Sequence, residues 1–369
     1  GSNKIYSTLA SEDKGRIMLF KVNSRNKSNY VLTTVLFDRD LALQKRTRAN
    51  IGMEERNDYL GEFSIDNEGD FVFSKFTRSN NDNIGKAVLF YKPAQSDSFL
   101  VTDLGLNKIF LDEIHIKVDN PNKRYFLTSF YYKQKRGNID GFYFYVWDKT
   151  TQRTALENSV SFSDELRGEA RGQMSAKMAF NDNFINQIII KKDGGFIIGS
   201  ETYYTVSRLN SWNRYDYIYG SPYSYGMDYY SYSPYYNNVY WRNRYNSQPT
   251  RYHADNVTLL SFDKTGKIEW SNVIHKDQVS DESDDMLSYQ VMNTGGQLHL
   301  LFNQAEKRAN LLNDYVLTPG GQVNRNPTLK NLDRDYEFLP KFGKQVSSRQ
   351  MIVPCYYRNY ICFAKIEYN

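Results

Sequence analysis

The sequence predicts an all-β fold, a six-bladed β-propeller of four-stranded antiparallel blades. Three observations predict it: an excess of strand-forming aromatics, short apolar runs between turn signals, and a turn-to-turn period of 55 residues. The 369 residues include 31 Tyr and 22 Phe, whose flat rings pack well on a pleated surface, against only 9 Pro. Hydrophobic residues at 40% and charged ones at 24% exclude a disordered chain.

One class of turn precedes a strongly apolar strand. It stands at Lys14-Gly15, Asn67-Glu68-Gly69, Asn120-Pro121-Asn122, Asp193-Gly194-Gly195, Thr294-Gly295-Gly296 and, in weaker form, Ser347-Ser348. Glycine and Asn supply the positive φ that tight hairpin turns need. A second class follows the next strand, at Asp38-Arg39-Asp40, Lys92-Pro93, Asp148-Lys149-Thr150, Asp263-Lys264-Thr265-Gly266 and Thr318-Pro319-Gly320. The steps 38 to 93, 93 to 148 and 263 to 318 are each 55 residues, and the exception, 148 to 263, is 115, one such step plus 60. The first class divides that excess between a polar connector at 164–180, with some helical character, and a Tyr-rich insert at 211–253. The insert falls between the second and third strands of the fourth unit. One propeller domain over 3–369 follows, with a large β-sandwich or two β-domains as the alternative. The sixth unit runs out of chain before its last strand. Either a segment around 4–10 closes the ring or the final blade has three strands.

The net charge of +5, from 47 basic and 42 acidic residues, is too even for a dedicated DNA binder. No apolar run reaches the ~18–20 residues of a membrane span. Gly1-Ser2 has the character of an expression scar, so a removed signal peptide or lipid anchor is expected. Cys355 and Cys362 flank a two-residue turn at Arg358-Asn359, a register that sets Tyr357 opposite Tyr360 and Cys355 opposite Cys362. A cross-strand disulfide is one reading of that register, but this is a hydrogen-bonded pair whose wider Cα spacing suits a disulfide less well, and two buried free thiols are the favoured alternative.

In the fourth unit, the run Leu260-Ser261-Phe262-Asp263-Lys264-Thr265-Gly266-Lys267-Ile268-Glu269-Trp270 resembles the tryptophan-docking repeat of quinoprotein-like propellers. The resemblance implies that Asp263 caps the turn, Gly266 takes a positive φ and Trp270 packs between blades. It decays elsewhere to Asp38 and to Asp148-Lys149. The run Asp193-Gly194-Gly195-Phe196-Ile197-Ile198-Gly199, followed by Phe262-Asp263-Lys264-Thr265-Gly266-Lys267, is also similar to exported propellers of Bacteroidota. That similarity implies a periplasmic or envelope location. The acidic metal ligands and vicinal cysteines of the quinoprotein enzymes are not recognisable, which points to non-catalytic relatives and to no cofactor.

Catalytic signatures are lacking. His115, His253, His275 and His299 have no metal-ligand spacing, and His115 and His299 read as structural histidines in alternating strands. No nucleophile elbow, phosphate loop or zinc-protease motif occurs. Carboxylate pairs occur at Asp112-Glu113 and in the run 280–285, and the latter reads as a solvated acidic loop without calcium-loop order.

The insert is where function is expected. It holds 13 of the 31 tyrosines, with Asp216 and Asp228 as its only acids. Its candidate binding residues are Trp212, Arg214, Tyr215, Tyr217, Tyr219, Tyr229, Tyr230, Tyr232, Tyr235, Tyr236, Tyr240, Trp241 and Arg242. Tyr, Trp and Arg dominate protein interfaces, because they offer large contact area with few rotatable bonds and a polar tip. A protein partner is expected. Packing of the insert on its own domain, and carbohydrate, are the alternatives, and nucleic acid is disfavoured.

Overall fold

The computed structural model describes residues 6–26, 28–54, 57–78, 83–172, 174–207, 211–219, 250–281, 283–306, 309–327, 336–358 and 360–368. Their secondary structure is almost wholly antiparallel sheet, laid down as six successive meanders. The described residues fall into two compact units, one running to Phe162 and taking up 215–219, the other beginning at Ser163.

In the first unit, the first meander is β1 (Ser7–Ala10), β2 (Arg16–Asn26), β3 (Asn29–Asp38) and β4 (Leu43–Gly52). The second is β5 (Asp58–Ile65), β6 (Phe71–Arg78), β7 (Ile84–Lys92) and β8 (Leu100–Asp103). After β9 (Phe110–Leu111) comes the third, β10 (His115–Asp119), β11 (Arg124–Tyr132), β12 (Gly141–Asp148) and β13 (Arg153–Ser161). β9 pairs with both β7 and β11, so the second and third meanders form one nine-stranded sheet. The side-chain alternation of a strand decides which neighbour each residue meets. On β6, Phe71 and Phe73 join Met18, Phe20 and Leu36 of the first meander. Val72, between them, and Phe76, further along the same face, join Tyr125, Tyr145 and Trp147 of the third. Each such side chain, fully buried, contributes about 1.5–3 kcal/mol.

The second unit begins at the polar connector. Ser163 caps α1 (Asp164–Ala170) by accepting from the Leu166 N–H, and a 3-10 turn follows at Ala176–Met178. The fourth meander is β14 (Asn183–Ile190) and β15 (Phe196–Ser207), then α2 (Arg214–Tyr219) on the insert, then β16 (Thr250–Phe262) and β17 (Ile268–Ile274). β18 (Gln278–Ser280) adds to β16. The fifth is β19 (Tyr289–Asn293), β20 (Leu298–Glu306), β21 (Ala309–Leu317) and β22 (Val323–Arg325). The sixth has β23 (Tyr336–Phe338) and β24 (Lys344–Ser347) along one side of β25 (Gln350–Tyr357), with β26 (Tyr360–Glu367) on the other. Strand β20 repeats the alternation of β6, with Leu300 and Phe302 facing the fourth meander and Leu301 the sixth.

Both turn classes fall between the strands the sequence assigned them. The positive-φ seat is taken by Gly69, Gly194 and Gly295 in the first class and by Gly266 and Gly321 in the second, but also by Lys14, Leu41, Lys123 and Gln152. Asp263 accepts from the Thr265 and Lys267 N–H groups. Trp270 lies over the next turn, its indole N–H donating to the Pro319 carbonyl at 3.0 Å. A Cβ on Gly321 would meet that ring at 2.6 Å. The N-terminal strand β1 pairs with β2, so Ser7–Ala10 belongs to the first meander and does not complete the last. Among the described residues the sheet of the sixth meander ends at β26.

Candidate functional site

Strands β15 and β16 stay paired from Phe196↔Phe262 out to Ser207↔Thr250, past a bulge at Glu201/Tyr203. This ribbon overhangs β17, which covers only the Val257–Phe262 side. β18 braces the overhang at Tyr252, His253 and Ala254, and Tyr204 stacks on His253 with ring centroids 4.5 Å apart. Arg251 grips Asp281 through two hydrogen bonds, of 2.7 and 3.1 Å.

Beneath the ribbon Lys276 is buried. Its ammonium donates to the Ala254 carbonyl and the Gln278 side chain, and pairs with Glu201 at 2.6 Å. Burial lowers the Lys276 pKa and the Glu201 carboxylate opposes it. Burial and then the neighbouring Asp277 raise Asp255 to about 6.

The root of the insert is fastened to the protein. The Trp212 indole N–H donates to Asp182 at 2.7 Å, and its ring meets Phe184 and Tyr203 edge-on. The Arg214 guanidinium lies 3.9 Å from the Phe184 ring centre and donates to the Asn181 carbonyl. Both side chains, named from the sequence as candidate binding residues, meet rings that β14 and β15 present. Tyr215 accepts from the Asn83 amide at 2.6 Å, Tyr217 is half-buried, and Tyr219 ends α2. Tyr229, Tyr230, Tyr232, Tyr235, Tyr236, Tyr240, Trp241 and Arg242 lie outside the described residues.

A cavity of about 410 Å³ opens in the first unit where turns of the first three meanders converge. Glu12, Asp66, Glu68, Asn120, Lys123 and Lys149 are among its lining. The turns are stitched in relay. The Asp13 N–H donates to the Asn67 side chain, the Asn67 N–H to the Asn120 side chain, and the Asn120 amide to Glu12. Lys149 reaches across to Asp66, Glu68 and Asp70 at 2.5, 2.7 and 2.7 Å. Burial alone would lower the Lys149 pKa, but the three carboxylates carry it above the ordinary value. Hydrogen bonds from Lys149 and then Lys123 hold Glu68 below its usual range. Tyr125 and Tyr91 donate from below to Asp66 and Asp70.

His115 pairs with Glu113 at 3.0 Å and lies 3.9 Å from Glu62, a residue held at φ +57 on the bulge of β5. Burial pushes the His115 pKa down, but Glu113, then Glu62 and Asp112, override it and leave it at about 9. His299 sits 3.0 Å from both oxygens of Asp314. In the acidic run 280–285, Asp281 holds Arg251, while Asp284 and Asp285 face Lys341. No grouping of His, Cys, Asp and Glu among the described residues has metal-binding geometry. No described helix is long and apolar enough to cross a membrane.

Sequence inspection missed the cavity, since its lining comes from turns about one repeat apart. The signal was present in Asn67 and Asn120, which hold equivalent turn positions.

Together these features define an antiparallel β protein built from successive meanders. No family model matches the chain, and no curated protein does. Among solved structures, the β-propeller domain of the Trilobed protease from Pyrococcus furiosus matches all of this chain and 83% of its own, at 9% identity and a TM-score of 0.41. A variant of Synechocystis apocarotenoid oxygenase matches 98% of this chain at 9% identity and a TM-score of 0.39, and its cobalt-substituted form 100% at 8% and 0.36. The chain spans 64% and 62% of the length of those two oxygenase chains.

Proposed function

We propose that the chain is a six-bladed β-propeller that acts as a non-catalytic binding scaffold of a bacterial cell envelope, in the manner of exported Bacteroidota propellers. Its Tyr-rich insert engages a protein partner. The succession of six meanders supports the blade count. The observation that carries the binding role is the braced ribbon of β15 and β16, which mounts the insert on a fixed base through Trp212 and Arg214. A rigid base lowers the entropy cost of presenting a contact surface.

The test replaces 220–249 by a short Gly-Ser link, leaving Trp212, Arg214 and Tyr215 in place. The variant should keep its Tm and lose at least about tenfold in partner recovery from native extract. Undiminished recovery would sink the insert as the contact surface.

A carbohydrate-binding role is favoured instead by the cavity, where turn carboxylates and amides face one space. Oligosaccharides that raise Tm in wild type but not in Asn120→Ala would support it.

A further inference from the structure

β25 and β26 pair in register from Gln350↔Glu367 to Tyr357↔Tyr360, which sets Cys355 directly across from Cys362. Both are free thiols, and their Sγ atoms are in direct contact at 2.6 Å. Side chains facing each other across an antiparallel ladder hold their Cβ atoms near the span a disulfide bridges. The pair is also asymmetric, with Cys355 at 1% exposure and Cys362 partly open to solvent.

We propose that Cys355 and Cys362 form a thiol–disulfide exchange site, which takes a disulfide-bearing reactant and closes into a cross-strand bond that clamps β26 to β25. The proposal is independent of the partner-binding role. Cys362 is the point of entry, because a reactant can reach it. Burial, and then the neighbouring Cys362 thiol, push the Cys355 thiol up to about 12 and keep it unreactive until a bond is offered beside it.

In the first step Cys362 gives up its proton, and its Sγ attacks one sulfur of the reactant. The reactant S–S bond breaks, a mixed disulfide forms and one reactant thiolate leaves. In the second, Cys355 gives up its proton and attacks the Sγ of Cys362, expelling the second reactant thiolate. The two cysteines lose two electrons and two protons, and the reactant disulfide gains them to become two thiols.

The clamp falls where the sheet needs it. β26 closes the described part of the last sheet, and Tyr360, Ile361 and Phe363 on it are 75%, 66% and 69% exposed. Bonding it to β25 removes fraying of an element otherwise held along one side.

Oxidised glutathione, applied to the full chain, is the probe. Peptide mapping should find wild type with Cys355 joined to Cys362 and no glutathione retained, and amide exchange over 360–367 should slow. Cys355→Ser should trap glutathione on Cys362. Cys362→Ser should leave Cys355 reacting at least about tenfold more slowly. Wild type that keeps both thiols, or carries glutathione on both, overturns the proposal, as does equal reactivity of the two single variants. Should a variant fail to fold, the wild-type map alone decides.

Discussion

Lys149 and Lys276 are the same residue in opposite predicaments. Lys149 bridges from the third meander to a turn of the second and meets three carboxylates, two of them buried. Lys276 is sealed beneath the ribbon with one carboxylate, a carbonyl and an amide oxygen. Burial penalises the charge in both, yet it lowers only Lys276, because at Lys149 the carboxylates outweigh it. Lys149 is nearer solvent and bonds three carboxylates, whereas Lys276 lies deeper and has one in direct contact. The first arrangement fastens one turn to its neighbour and stays ionised. The second specifies a buried junction at which an ill-matched residue leaves a charge stranded.

The sharpest way to break this comparison is Lys276→Met, which strands Glu201 in the interior. It should cost about 3–5 kcal/mol in chemical denaturation. Adding Glu201→Leu should recover much of the loss, and no recovery would mean that Lys276 matters through packing instead.

Lys149→Met should cost less, about 2–3 kcal/mol, since the freed Asp66 and Asp70 keep their tyrosine and backbone donors. A loss equal to that of Lys276→Met would erase the distinction.

The smallest effect is expected at His115, the intermediate case of a buried cation facing Glu113 and Glu62. Its folded pKa of about 9 lies above the ordinary 6.5. Its stabilising contribution is therefore complete below pH 6.5 and is lost as pH rises through 9. Wild-type stability should decline across that window by about 1–3 kcal/mol more than that of His115→Gln. Parallel profiles would show that the pairing adds nothing.

The turns were legible because their chemistry is local. Asp263 and Gly266 announce a cap and a positive φ within a few residues of each other. The register of Cys355 and Cys362 followed from a two-residue turn for the same reason. Lys14, Leu41, Lys123 and Gln152 gave no such notice, since each holds in its turn a positive φ that its side chain does not favour. Nor did sequence reveal Lys276 as a buried ion or Arg214 as an internal one. Composition marked Arg214 and Trp212 as contact residues, and it could not tell whether the contact was with a partner or with Phe184. The cavity was hidden because it depends on which turns meet.

The bare side of β26 carries a further consequence, for solubility. In each of the first five meanders the third strand has a fourth beside it, whereas β26 presents an open row of backbone donors and acceptors among the described residues. Such a row is a template on which extended chains of other molecules add, and aromatic side chains next to it encourage the addition. The ion pair of Lys365 and Glu367 at its far end places charge where an incoming strand would have to lie flat. The strand therefore carries its own deterrent against fibrous self-association, placed at the end opposite the exposed aromatics.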